Sequence, residues 1–210
     1  MKKIIIIGAG AMGSAFAVPC IENENEVTLV GTHLEDGLID SIKSKNNFHP
    51  ALNIELPIKL KVEKYEGLKA ILEGGVDIIV AGISSVGIEW FAKQIAKSYK
   101  KNLPIILLTK GLAVEDNELI TLSDKIKKLL KVHGHEDVNI SAIKGPCLAA
   151  GLANKMRTGT VIANPDIKET EKLKKIISTD YYSTEVSDDL TGIELSGAIK
   201  NIYSMLIGAS

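Results

Sequence analysis

Short apolar runs rich in β-branched residues recur along this chain, separated by longer stretches in which apolar positions return every three or four residues. The runs predict strands at Lys3–Ile7, Glu26–Val30, Ile58–Val62, Val76–Ala81, Pro104–Leu108, Val138–Ile143, Thr160–Ala163 and Tyr182–Val186. The stretches between them predict helices near 11–22, 35–45, 65–73, 87–99, 117–131, 148–156 and 168–178. Runs such as IIII, VDIIV and PIILL show no polar alternation, which is the pattern of strands covered by helices on both faces. Strand and helix in alternation therefore predict an α/β fold with an open, largely parallel sheet.

Two segments depart from that rhythm. Residues 46–57 carry Pro50 and Pro57 and read as an irregular connection, either a ligand-facing excursion or an insertion. Beyond Val186, Leu190, Ile193, Leu195, Ala198, Ile199, Ile202, Met205 and Leu206 recur at helical spacing, with Ser187 or Asp188 as the expected N-cap. The division that follows is a domain at 1–186 and, at 187–210, the first helix of an all-α domain.

The first strand runs directly into Gly8-x-Gly10-x-x-Gly13, and a helix follows at once. In that context the glycines have separate tasks. Gly8 makes the tight turn, Gly10 lets the backbone approach a pyrophosphate, and Gly13 lets helix pack on strand. The expected fold is thus Rossmann-like and doubly wound, with NAD or NADP as the cofactor. An acidic residue at the end of the second strand favours NAD, but that position reads Val30-Gly31-Thr32-His33, and the first acids are Glu35 and Asp36. Thr32 and His33 have room for a 2′-phosphate, while no arginine stands nearby to clamp one, so the choice of cofactor stays open.

The same opening letters, two lysines, an apolar stretch and Cys20, have the outline of a lipoprotein signal. Three glycines at fingerprint spacing and Pro19 directly before the cysteine argue against that reading. The expected location is then the cytoplasm, since no later apolar run reaches the length of a membrane helix. A net charge of −1 removes any general electrostatic case for nucleic acid or an anionic membrane surface. Cys20 and Cys147 are far apart, and His133 and His135 flank Gly134 in a polar loop, so no metal site is expected.

Four segments in order resemble the NAD(P)-dependent glycerol-3-phosphate dehydrogenases: GAGAMGSAFAVP, ILLTKGL at 106–112, KGPCLAAGLA at 144–153 and SDDLTGIELSGAIKNIYSMLIG at 187–208. The resemblance implies reversible reduction of dihydroxyacetone phosphate to glycerol 3-phosphate. It implies that Lys200 is the catalytic lysine and that Lys110 is shared by cofactor and substrate. Gly145, Cys147 and Asn201 then fall at substrate positions, Ala149 at a cofactor position, and Ala11 and Met12 in the phosphate-binding turn. A lysine in a partly desolvated cleft suits the chemistry, because burial draws its pKa toward the working pH.

The pattern also departs from the family's. Cys147 stands for a serine, Gly151 for a glutamate, Lys144 for a small hydroxyl residue, and Thr158-Gly159 for Pro-Thr. The family's helical domain, with the Ser-Arg-Asn stretch that grips the substrate phosphate, has no counterpart in these 210 residues, and Arg157 is the only arginine. The expected explanation is a fragment, ahead of a split enzyme and of a shortened relative that keeps only dinucleotide binding. The remaining helical domain or a second copy of the chain is expected to cover the apolar face of 190–206. The alternatives in function are an NADP-dependent 2-oxoacid reductase like the ketopantoate reductases, or a non-catalytic dinucleotide-binding module.

Overall fold

A computed structural model describes residues 1–208, without the side chains of Asn201, Ile202 and Ser204. β1 (Lys3–Ile7), α1 (Ala11–Glu22), β2 (Glu26–Val30) and α2 (Asp36–Ser44) are followed by a small hairpin, β3 (Phe48–His49) with β4 (Ile54–Glu55). Next come β5 (Lys61–Glu63), α3 (Leu68–Glu73), β6 (Ile78–Ala81), α4 (Ile88–Ala96) and β7 (Ile105–Leu107). A second hairpin, β8 (Leu112–Glu115) with β9 (Glu118–Thr121), leads to α5 (Leu122–Val132), β10 (Ile140–Lys144) and α6 (Ala149–Ala153). β11 (Thr158–Ala163), α7 (Ile167–Ile177), β12 (Tyr182–Ser187) and α8 (Leu190–Gly208) complete the described chain.

One eight-stranded sheet runs in the order β12-β11-β10-β7-β6-β1-β2-β5. All of its pairings are parallel except β10 with β11. The six parallel strands follow the doubly wound order, in which the chain starts in the middle and builds outward first to one side and then to the other. The α/β, Rossmann-like expectation is met.

The four isoleucines of β1 show why its polar alternation is missing. Ile4 and Ile6 enter the apolar layer against α1, while Ile5 and Ile7 enter the layer against α4 and α5. All four are at most 2% exposed, and each such side chain contributes about 1.5–3 kcal/mol of burial free energy. The segment with the outline of a signal is thus the central strand and its helix, and burial pushes the Cys20 thiol far above its ordinary pKa.

Two local expectations are corrected. The helix expected from 117 begins only at Leu122, because Asp116 and Asn117 both take positive φ (50° and 64°) and close a two-residue hairpin turn. Thr121 then caps α5, its hydroxyl accepting the Asp124 N–H at 3.2 Å. At α8 neither Ser187 nor Asp188 is the cap. The Asp189 carboxylate accepts the Gly192 N–H at 2.8 Å, and Ser187 Oγ accepts the Asp189 N–H. Among the described residues no helix is long and apolar enough to cross a membrane.

Candidate functional site

The carboxyl ends of β1 and β6 lie side by side where the order of the sheet reverses, and the glycine fingerprint occupies that point. Gly8 has φ +109°, and a Cβ there would stand 2.6 Å from the Gly82 carbonyl oxygen. A Cβ on Gly13 would stand 2.2 Å from the Gly8 oxygen, so α1 approaches the turn as closely as main chain allows. Gly10 differs, since its nearest neighbour is Glu35 Oε1 at 3.9 Å. Its open side gives a phosphate group room beside the N-terminus of α1, where Ala11 and Met12 begin the helix. This cradle fits a dinucleotide.

Residues distant in sequence brace the turn from below. The Ala9 carbonyl accepts from Ser14 Oγ (3.0 Å) and from His49 Nε2 (3.0 Å), and His49 Nδ1 accepts the Leu52 N–H. His49 is only 1% exposed, so the irregular span 46–57 props the turn from within the protein. On the other side, Glu35 Oε2 accepts the N–H groups of Ala9 (3.0 Å) and Thr32 (2.8 Å). Just beyond lie three aromatic rings, His33, Tyr65 and Trp90, with centroids 5.2–6.2 Å apart.

Lys110, Gly145 and Cys147 gather with Met12 along a narrow cleft that Lys144, Thr160 and Tyr182 also line. Gly145 is required there, because a Cβ would stand 2.9 Å from the main chain of Gly159 and Thr160. The Thr109 hydroxyl donates to the Ile83 carbonyl at 2.8 Å and so ties the loop that carries Lys110 to the loop after β6. The Lys110 ammonium is held below its ordinary pKa, chiefly by partial burial and then by the charge of Lys200. Burial pushes the Cys147 thiol up, against the pull of Thr158 and Lys110. Ala149 starts α6, which packs on α1 beside the cleft. Asn201 has its side chain outside the described residues.

Lys144 is the surprise of the cleft. It is 5% exposed, and its ammonium donates to the carbonyls of Thr109 (2.8 Å) and Leu107 (3.2 Å), at the end of β7 just before Lys110. Burial draws its pKa down to about 8 against the opposing attraction of Glu194, while Lys110 lowers it further. Its stem lies against Gly197 of α8, where a Cβ would be 2.8 Å from Lys144 Cδ. Glu194 is fully buried, and its Oε1 accepts the Ser123 N–H at the start of α5. These contacts seat α8 on the sheet, with Lys200 in its next turn.

A larger hollow lies under α3, lined by Ile4, Thr28, Ala70 and Ile71 among others, and holds none of the predicted residues.

Residues 3–170 match the sequence profile described as the NAD-dependent glycerol-3-phosphate dehydrogenase N-terminus. The chain belongs to this family. Among its relatives, the NADP(+)-dependent glycerol-3-phosphate dehydrogenase of Archaeoglobus fulgidus is 34% identical over 204 residues, covering 97% of this chain and 59% of that protein. The glycerol-3-phosphate dehydrogenase [NAD(P)+] of Mesoplasma florum is 31% identical over 207 residues, with the same two coverages. The crystal structure of glycerol-3-phosphate dehydrogenase from Coxiella burnetii shares the fold, with a TM-score of 0.83 at 23% identity over 97% of this chain and 59% of that one. This chain thus spans 59% of the length of the relatives it matches.

Proposed function

We propose that this chain forms the cofactor-binding half of an NAD(P)-dependent dehydrogenase that interconverts dihydroxyacetone phosphate and glycerol 3-phosphate. The observation that carries the reading is a convergence: the glycine cradle, Lys110 and Lys200 all meet at the carboxyl edge of one sheet, and the charge of Lys200 acts on Lys110. In this reading Gly8, Gly10, Ala11, Met12 and Gly13 hold the pyrophosphate, and Thr32 and Ala149 flank the cofactor. A nicotinamide bound there would supply the hydride chemistry at the carbon bearing the oxygen.

The residues of the chain handle the charge and the proton. In reduction, negative charge develops on the carbonyl oxygen, and Lys110 offers an ammonium to stabilise it. Lys200 gives that oxygen its proton, and in oxidation takes one from the hydroxyl. Gly145, Cys147 and Asn201 shape the substrate side of the cleft. Residues 187–210 begin the helical substrate domain, whose remainder covers the exposed Leu195, Tyr203, Met205 and Leu206.

The test is Lys200→Ala in the full-length enzyme, assayed in both directions. Turnover is expected to fall by roughly 100-fold or more while NADH binding persists. Turnover at the parent level overturns the assignment. Turnover of ketopantoate in place of the triose phosphate, or cofactor binding with no turnover at all, overturns the substrate reading.

A further inference from the structure

Glu35 holds its carboxylate between two loops. Oε2 accepts the Thr32 N–H just beyond β2 and the Ala9 N–H just beyond β1, so the side chain spans from one loop to the other. Its Oε1 faces the open side of Gly10, 3.9 Å from where a Cβ would be. In a doubly wound sheet the adenosine ribose crosses between those loops, with its 2′ oxygen at the end of the second strand. We propose that Glu35 selects NAD over NADP. The proposal rests on the cofactor reading above and deepens it.

Three observations carry it. A ribose 2′-hydroxyl donates a hydrogen bond to a carboxylate, whereas a 2′-phosphate brings negative charge against a carboxylate that two N–H groups hold in place. The first two N–H groups past β2 are already engaged, Gly31 with the Glu63 carbonyl at 3.0 Å and Thr32 with Glu35. A phosphate oxygen meets no open main-chain donor at those two residues.

Two lysines around this end are also committed. Lys64 pairs with Asp40 at 2.7 Å and Lys43 with Glu63 at 3.0 Å, and Asp36 and Glu66 add negative charge beside Lys64. Arg157, the only arginine, directly precedes β11, five strands across the sheet from β2. The neighbourhood of the 2′ oxygen is therefore acidic, and Glu35 is the acid that two main-chain N–H groups hold in place.

The experiment is direct titration of the 210-residue chain with NADH and with NADPH at pH 8. The parent is expected to bind NADH roughly tenfold or more tightly than NADPH, the reverse of the preference in the name of the Archaeoglobus relative. Glu35→Gln keeps an acceptor for both N–H groups and removes the charge. Its NADH-to-NADPH affinity ratio should fall by about fivefold or more through a gain in NADPH affinity. Glu35→Arg should bring the ratio below one. Thermal unfolding of each variant establishes that it is folded.

A parent that binds NADPH as well as NADH, or a folded Glu35→Gln whose ratio stays at the parent value, overturns the proposal and leaves the cofactor reading standing. Binding of neither cofactor to the folded parent overturns the cofactor reading, and this proposal with it.

Discussion

The fingerprint turn and the lysine cluster lie on the same edge of the sheet, yet one is made of main chain and the other of long side chains. At the turn, Gly8 and Gly13 bring backbone against backbone, and two titratable side chains, His49 and Glu35, brace it from either side. At the cluster, Lys144 of β10 and Lys200 of α8 each repel Lys110 of the loop after β7, with Glu194 as the buried countercharge of Lys144. The first arrangement is fixed by excluded volume and tolerates no added atom at Gly8 or Gly13. The second is fixed by charge and hydrogen bonds, so its state follows pH.

That contrast can be broken first at the turn. Gly13→Val places side-chain carbon within contact of the Gly8 oxygen, and should destabilise the chain by more than about 3 kcal/mol in urea unfolding. Gly10→Ala, with space at its Cβ, should fold normally and lose cofactor affinity by roughly tenfold or more, read by NADH titration. If both glycines behave alike, the separation of their tasks is wrong.

A smaller effect is expected at the brace. His49→Ala strips the Ala9 carbonyl and the Leu52 N–H of a partner in a buried site and should cost about 2 kcal/mol, with binding weakened in proportion as the turn loosens. Unchanged stability would mean that the 46–57 span is decoration.

The mildest test is at the lysine cluster. Lys144 titrates near 8 when folded and near its ordinary value when unfolded, so between those values the unfolded chain holds the extra proton and stability rises with pH. From pH 7.5 to 9 this contributes about 1 kcal/mol to the parent. Cys20 acts in the opposite direction, its folded pKa being raised, so stability from that thiol is lost as pH climbs past its unfolded value. Lys144→Met should abolish the Lys144 contribution alone, and the parent-minus-variant difference in unfolding free energy isolates it. A difference that stays flat across that range would show that Lys144 is not buried as a cation.

The two ends also differ in how far they are legible in the letters. β1, the turn and α1 are consecutive, so strand, glycine spacing and helix can be read without knowing anything distant. Lys110, Gly145 and Cys147 are legible as motif positions, and the fold gathers them because β7 and β10 are neighbours. Lys144 is visible only as a residue out of pattern, since its partners lie 35 and 37 residues away on another strand. Glu194 meets Ser123 across 71 residues, and nothing local announces it. Glu35 is visible as the first acid after β2, but its reach back to Ala9 depends on the fold of the intervening loop. The hairpin at 112–121 is hidden for a different reason: Asp116 and Asn117 make a tight turn without the glycine that usually advertises one.

The antiparallel step from β10 to β11 has one more consequence. Because β11 and β12 run back down the sheet, α8 starts near the edge away from the cleft and must climb to it. Ten helical steps separate Leu190 from Lys200, about 15 Å of rise. The helix is therefore a ruler cut to the height of the sheet, pinned at its foot by Asp189 and partway up by Gly197 against Lys144. One residue inserted between Leu190 and Gly197 would turn Lys200 by about 100° and lift it past the cleft, leaving every side chain of the site present and its geometry lost.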